Sequence, residues 1–103
     1  MTNKTLTLLG FASKAGKLSY GFAKVLEALN QNKARLVLAA SDLSEKTLKE
    51  AVYHAEKKNI EVLTLKTADI FVLSKAIGRK CGVVAVNDDG FAKAIKEDFL
   101  NDQ

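Results

Sequence analysis

The chain contains no proline and no tryptophan, and only one cysteine and one histidine. Without proline, its turns fall to glycine, asparagine and aspartate, which tolerate positive φ or bond their own backbone. Cys81 stands alone, so an internal disulfide is excluded and a reducing compartment suits the chain. With His54 as the only histidine, a zinc site of Cys and His ligands cannot be assembled. No apolar run approaches the roughly 18 residues that a membrane span needs. The start, Met1-Thr2-Asn3-Lys4-Thr5, lacks the basic cluster and cleavage pattern of a secretory signal. These absences point to a cytoplasmic protein with no metal, no cofactor and no membrane partner.

What is present is a globular composition: 103 residues, 48% of them hydrophobic, enough for one domain (1–103) with one buried core. The net charge of +4 is unevenly spread. Residues 1–35 carry six Lys/Arg against Glu27 alone, a sum of +5, while residues 36–103 sum to −1. A basic first third suggests an anionic partner, nucleic acid foremost.

Periodicity alternates between helix and strand. A first helix is predicted over Lys4 to Ala15, capped by Thr2 or Asn3, with Leu8, Phe11, Ala12 and Ala15 as its inward stripe and Gly16 as its stop. Leu18-Ser19-Tyr20 reads as a short edge strand. Gly21 then opens a second helix over Phe22 to Gln31, with Phe22, Val25, Leu26 and Leu29 inward and Asn32 as its stop. Residues 35–40 form an apolar run fitting a strand covered on both faces. Ser44 caps a third helix whose stripe is Leu48, Ala51, Val52 and Ala55. Glu61 to Leu65 is a strand. Thr67 is read as the cap of a fourth helix, with Ile70, Leu73 and Ile77 inward and Gly78 at its end. Gly82 to Val86, the most apolar strand, is placed centrally. Asp88-Asp89-Gly90 is read as a turn before a last helix carrying Phe91, Ala94, Ile95 and Phe99. Strands interleaved with helices imply an α/β fold, a three-layer α/β/α sandwich with a mostly parallel or mixed sheet.

Catalytic constellations fail one by one. A phosphate-binding P-loop needs four residues between its glycines and a hydroxyl after Gly-Lys. Five separate Gly10 from Gly16, and Leu18 follows Lys17. Asp88 and Asp89 sit beside Gly90, where aspartate makes local turn bonds. Asp42 has no acids placed to join it in a magnesium cluster and reads as a turn former or loop contact. Ser13, Ser41 and Ser74 have no histidine nearby to activate them. Cys81 has basic neighbours that could lower its pKa, but it reads better as a small residue entering a strand. No enzyme is implied.

Two basic segments remain. One runs from Lys14 through Lys17 and Gly21 to Lys24; the other is Arg79-Lys80-Cys81-Gly82. In a sandwich both can share one edge, where backbone amides at a helix start and flanking ammonium groups suit a polyanion. Such an edge suits a bent RNA better than a regular duplex, whose base edges are hidden.

Lys14-Ala15-Gly16-Lys17-Leu18-Ser19-Tyr20-Gly21, the helix after it, and Ala34-Arg35-Leu36-Val37-Leu38-Ala39-Ala40-Ser41-Asp42 together resemble the kink-turn-binding ribosomal protein superfamily of the L-seven-Ae and L-thirty-e type. The resemblance spans residues 5–100. It is strongest to the small bacterial YlxQ branch, through Leu8-Leu9-Gly10-Phe11-Ala12 and Asp88-Asp89-Gly90-Phe91-Ala92. It implies a four-stranded mixed sheet, no catalysis, and docking of a sharply bent RNA internal loop; a ribosome-associated role is expected with it, and the oligomeric state stays open, with a monomer preferred over a dimer. The RNA-binding set carried over is Lys14, Lys17, Gly21, Phe22, Ala23, Lys24, Glu27, Ser41, Asp42, Arg79, Lys80 and Cys81. Phe22, Ala23 and Lys24 occupy positions where strong binders carry Thr, Asn or Lys, and Glu or Gln. Glu27 stands where those carry lysine. Arg79 and Lys80 replace an apolar and an acidic residue. The resemblance therefore implies phosphate attraction more than base-edge readout. The alternative is a protein-interaction adaptor on the same scaffold, with Phe22 as its anchor.

Overall fold

Side chains that alternate along β-strands fix two buried faces here, and helices cover both. The computed structural model describes residues 3–101. The elements are α1 (Asn3–Lys14), β1 (Leu18–Tyr20), α2 (Phe22–Asn30), β2 (Leu36–Ala39), α3 (Glu45–Lys57), β3 (Val62–Thr64), α4 (Ile70–Ile77), β4 (Val83–Val86) and α5 (Asp89–Asn101). The four strands form one mixed sheet in the order β1-β4-β2-β3. β4 pairs antiparallel with both β1 and β2, and β2 pairs parallel with β3.

The two inner strands are buried at every residue. On one face Leu36, Leu38, Val84 and Val86 meet Leu9 and Ala12 of α1, Leu73 and Ile77 of α4, and Ala92 and Ile95 of α5. On the other, Val37, Val83 and Ala85 meet Val25, Ala28 and Leu29 of α2 and Ala55 of α3. The period of two is what splits one apolar run between two cores. Truncating a fully buried leucine such as Leu38 or Leu9 to alanine costs about 2–5 kcal/mol. The expected α/β/α sandwich is present, and both β2 and β4 hold central positions.

Several local expectations are corrected. Of the expected inward stripe of α1, Ala12 is buried and Leu8 is half-buried against the core, whereas Phe11 and Ala15 are exposed and Thr5 and Leu9 are buried in their place. Thr5 is buried because its hydroxyl donates to Asp98 of α5. The proposed cap Thr2 lies outside the described residues, and Asn3 already belongs to the helix. At α4 the cap is Asp69, which accepts from the Val72 amide at 2.9 Å, and not Thr67. Residues 88–90 are the start of α5: Asp88 accepts from the Phe91 amide at 2.9 Å, while Asp89 and Gly90 are helical. Asn32, with φ 59, does end α2, and Gly78, with φ 78, ends α4.

Candidate nucleic-acid interface

Strand direction gathers the site. β1, β2 and β3 run the same way and β4 runs against them. The carboxyl ends of the first three and the amino end of β4 therefore share one rim. The helices α2, α3 and α4 each begin just beyond those strands, so three helix N-termini, each partially positive, open there.

The three N-termini differ in one respect. Ser44 caps α3, accepting from the Thr47 amide at 3.2 Å. α4 is capped twice, by Asp69 and by Asp42, whose carboxylate accepts from the Ile70 amide at 2.8 Å. α2 has Gly21 at its cap position and no side-chain cap. Gly21 has φ 85 and ψ 162, a conformation essentially restricted to glycine. Its N–H donates to Val83 O and its carbonyl accepts from Val25 N, both at 2.9 Å. The first-turn amides of α2, at Phe22, Ala23 and Lys24, thus receive no side-chain cap and open onto the rim. Lys24 is exposed and pairs with Glu27 at 3.5 Å, an exposed i,i+3 contact of little energetic weight. Phe22 is half-buried against the α2–α3 core.

The second basic segment folds back onto this point. Gly78 turns the chain, and Cys81 then bonds to Ser74 through its amide at 3.1 Å and its carbonyl at 3.3 Å. The Arg79 guanidinium lies over the Tyr20 ring, 4.6 Å from its centroid. The Cys81 thiol is half-buried. Burial pushes its pKa up and outweighs the opposing pull of the Gly21 and Val83 backbone and of Arg79. The basic neighbourhood therefore does not activate this thiol, contrary to the one reactive possibility in the sequence. Ser41 and Asp42 join the rim where Ala40 N reaches Gly82 O at 2.8 Å and Ser41 N reaches Ala68 O at 2.9 Å.

Gly21, Phe22, Ala23, Lys24, Glu27, Ser41, Asp42, Arg79, Lys80 and Cys81 thus cluster around one end of the sheet. Lys14 and Lys17 do not join them in the same way. The Lys17 carbonyl accepts from Asn87 at the opposite end of the β1–β4 pair. At the usual strand rise, its backbone lies about 13 Å from that of Gly21. Lys14 lines a separate groove between α1 and α4, with Gly10, Phe11 and Ala76.

Sequence reasoning missed three residues. A cavity of about 600 Å³ is lined by Asp42, Ile70, Ser74, Arg79, Lys80 and by Phe71 and Lys75. Phe71 is 66% exposed, with Lys75 Nζ 4.9 Å from its ring centroid. An aromatic lying off the Ile70–Leu73–Ile77 stripe, with a lysine four residues on, was a readable signal. Tyr20, the third, gave none: the cation on its ring, Arg79, comes from a distant part of the chain.

Comparison with known proteins follows the same lines. The profile of the ribosomal protein L7Ae/L30e/S12e/Gadd45 family matches residues 3–96. An Enterococcus faecium protein named RNA-binding protein YlxQ is 32% identical over 94 residues, covering 91% of this chain and 89% of that protein. The protein of the same name from Bacillus subtilis (strain 168) is 34% identical over 90 residues, covering 85% and 87%. Among solved structures, a Bacillus halodurans C protein of unknown function superposes with TM-score 0.86 at 29% identity, covering 91% of this chain and 94% of its own. The Giardia lamblia 15.5kD RNA binding protein superposes with TM-score 0.76 over 89% of this chain and 78% of its own; at 19% identity this likeness concerns the fold.

Proposed function

The chain belongs to the ribosomal protein L7Ae/L30e/S12e/Gadd45 family, and from that premise we propose that it is a non-catalytic, cytoplasmic RNA-binding protein whose Gly21 rim docks a bent RNA internal loop of the kink-turn type, with ribosomal RNA as the leading partner. The observation that carries this reading is the uncapped N-terminus of α2 beside the Arg79-Lys80 loop. Open backbone amides at the positive end of a helix bind a phosphate oxygen, and neighbouring cations hold the next phosphates of the same strand. The relatives named as RNA-binding proteins support it. Phe22 and Ala23 offer no amide or carboxylate to base edges. Recognition on this rim therefore works through the path of the backbone at the bend, which positions RNA without reading every base.

The adaptor alternative needs Phe22 as a presented anchor, and that side chain is packed against the α2–α3 core.

Fluorescence anisotropy with a kink-turn hairpin and a straight duplex of equal length tests the reading. The bent RNA binds more tightly, and log affinity falls linearly with log salt. Lys80→Ala lowers that slope by about one and weakens all sequences alike. Equal affinity of Lys80→Ala and wild type at every salt concentration contradicts the rim as the docking surface.

A further inference from the structure

Three elements meet at the Tyr20 side chain. Ser13, in the last turn of α1, donates its hydroxyl to the Ile77 carbonyl at 2.7 Å. Its oxygen also lies 2.7 Å from the Tyr20 hydroxyl. Serine has a single O–H, so with that proton engaged by Ile77 the tyrosine must donate in the second bond. The run Tyr20 to Ser13 to Ile77 ties β1 to α1 and to the final residue of α4. Gly78 then turns the chain, and Arg79 places its guanidinium over the ring of the same Tyr20. One side chain is thus fixed at its tip by α1 and carries on its face a cation belonging to the rim.

We propose that Tyr20 is a positioning residue for RNA docking: its ring, locked through Ser13, holds the Arg79 guanidinium at the rim in readiness for a backbone phosphate. The inference rests on the RNA-binding reading above and adds to it a residue outside the basic set. The chemistry favours a ring for this task. A carboxylate would hold an arginine equally still, but would offset its charge. Among the described residues Arg79 forms no ion pair. An aromatic face restrains a guanidinium through its π-cloud and leaves the in-plane N–H donors for phosphate oxygens. Asp42, on the shared cavity, already has a carboxylate oxygen engaged with the Ile70 amide. A long side chain ordered in advance loses less freedom on binding, an effect of about threefold in affinity.

The test has two arms. In the free protein, NMR of wild type shows Arg79 side-chain protons shifted upfield by the Tyr20 ring current, and Tyr20→Leu abolishes the shift. An unshifted Arg79 in wild type overturns the proposal. In the second arm, a kink-turn hairpin is titrated with wild type, Tyr20→Leu, Arg79→Ala and the double variant. Tyr20→Leu weakens binding about threefold, Tyr20→Phe, which keeps the ring but loses its tie to Ser13, gives a smaller loss, and Tyr20→Leu adds no further loss once Arg79 is alanine. Single losses that simply multiply in the double variant overturn the proposal while leaving RNA binding intact. Failure of wild type to bind overturns the RNA reading and this inference with it. Thermal melts identify a variant that does not fold. Ser13→Ala, which frees the tyrosine tip and keeps the ring, carries the same comparison if Tyr20→Leu is lost.

Discussion

Replacing Gly21 with alanine separates backbone strain from packing at the rim. A Cβ at Gly21 meets no atom within 4 Å, so crowding contributes nothing. What remains is the conformation, φ 85 and ψ 162. An L-residue there costs about 1–3 kcal/mol. Alanine also narrows the unfolded ensemble, which returns about 0.4–1 kcal/mol. The net destabilisation is therefore about 1–2 kcal/mol. With a denaturant slope of about 1.5 kcal/mol per molar, the urea midpoint falls by roughly 1 M. Far-UV circular dichroism follows the transition, since the chain has no tryptophan to report it. D-alanine introduced by semisynthesis adds a methyl on the other side of the Cα, removes the positive-φ strain and raises the midpoint above that of L-alanine. Equal midpoints for wild type and L-alanine, or for the two alanine enantiomers, refute the reasoning. In the first case the backbone has found a relaxed route that preserves both the Val83 and Val25 bonds; in the second the cost lies elsewhere.

Asp42→Ala removes the long-range cap of α4 and costs about 1 kcal/mol, while Asp42→Asn keeps an acceptor and costs less. Hydrogen exchange at the Ile70 amide accelerates in the alanine variant, and an unchanged rate contradicts the cap. The folded chain holds the Cys81 proton more tightly than the unfolded chain, because burial raises its pKa. This thiol's contribution is thus present below the unfolded pKa and is lost as pH climbs from the unfolded to the folded value. Alkylation rates of native and denatured protein against pH give a native inflection above the denatured one; the reverse order refutes the assignment.

The sheet was legible because its signal is local. Residues 36–39 and 83–86 are apolar at every position, and only an inner strand between two helix layers accommodates that. The α1 stripe is only partly legible, with Ala12 right and Phe11 and Ala15 wrong, because Leu8-Leu9 and Phe11-Ala12 offer two overlapping apolar faces. The choice between them is made by α4 and α5, including Asp98 on Thr5, which no window along α1 contains. The α4 cap slipped from Asp69 to Thr67 because both residue types cap well and the deciding contact, Asp42 to Ile70, spans 28 positions. At the rim, Gly21 and the Arg79 loop were identified by charge and glycine. Lys17 was grouped with Gly21 by nearness in sequence, although a strand carries its backbone to the far end of the sheet. The Tyr20–Arg79 contact joins the end of β1 to the loop between α4 and β4, which only the topology brings together.

The position of β4 bears on how the protein comes into being. The fourth strand in the chain is second in the sheet, wedged between β1 and the β2–β3 pair. Until it has been synthesised and threaded in, β1 has no neighbour to bond with, and Arg79 has no tyrosine to rest on. Folding must wait for a contact between distant stretches of polypeptide, which slows it relative to a helical bundle of equal size. Gly21 at the end of β1 and the Arg79 loop ahead of β4 therefore come together only when the sheet closes.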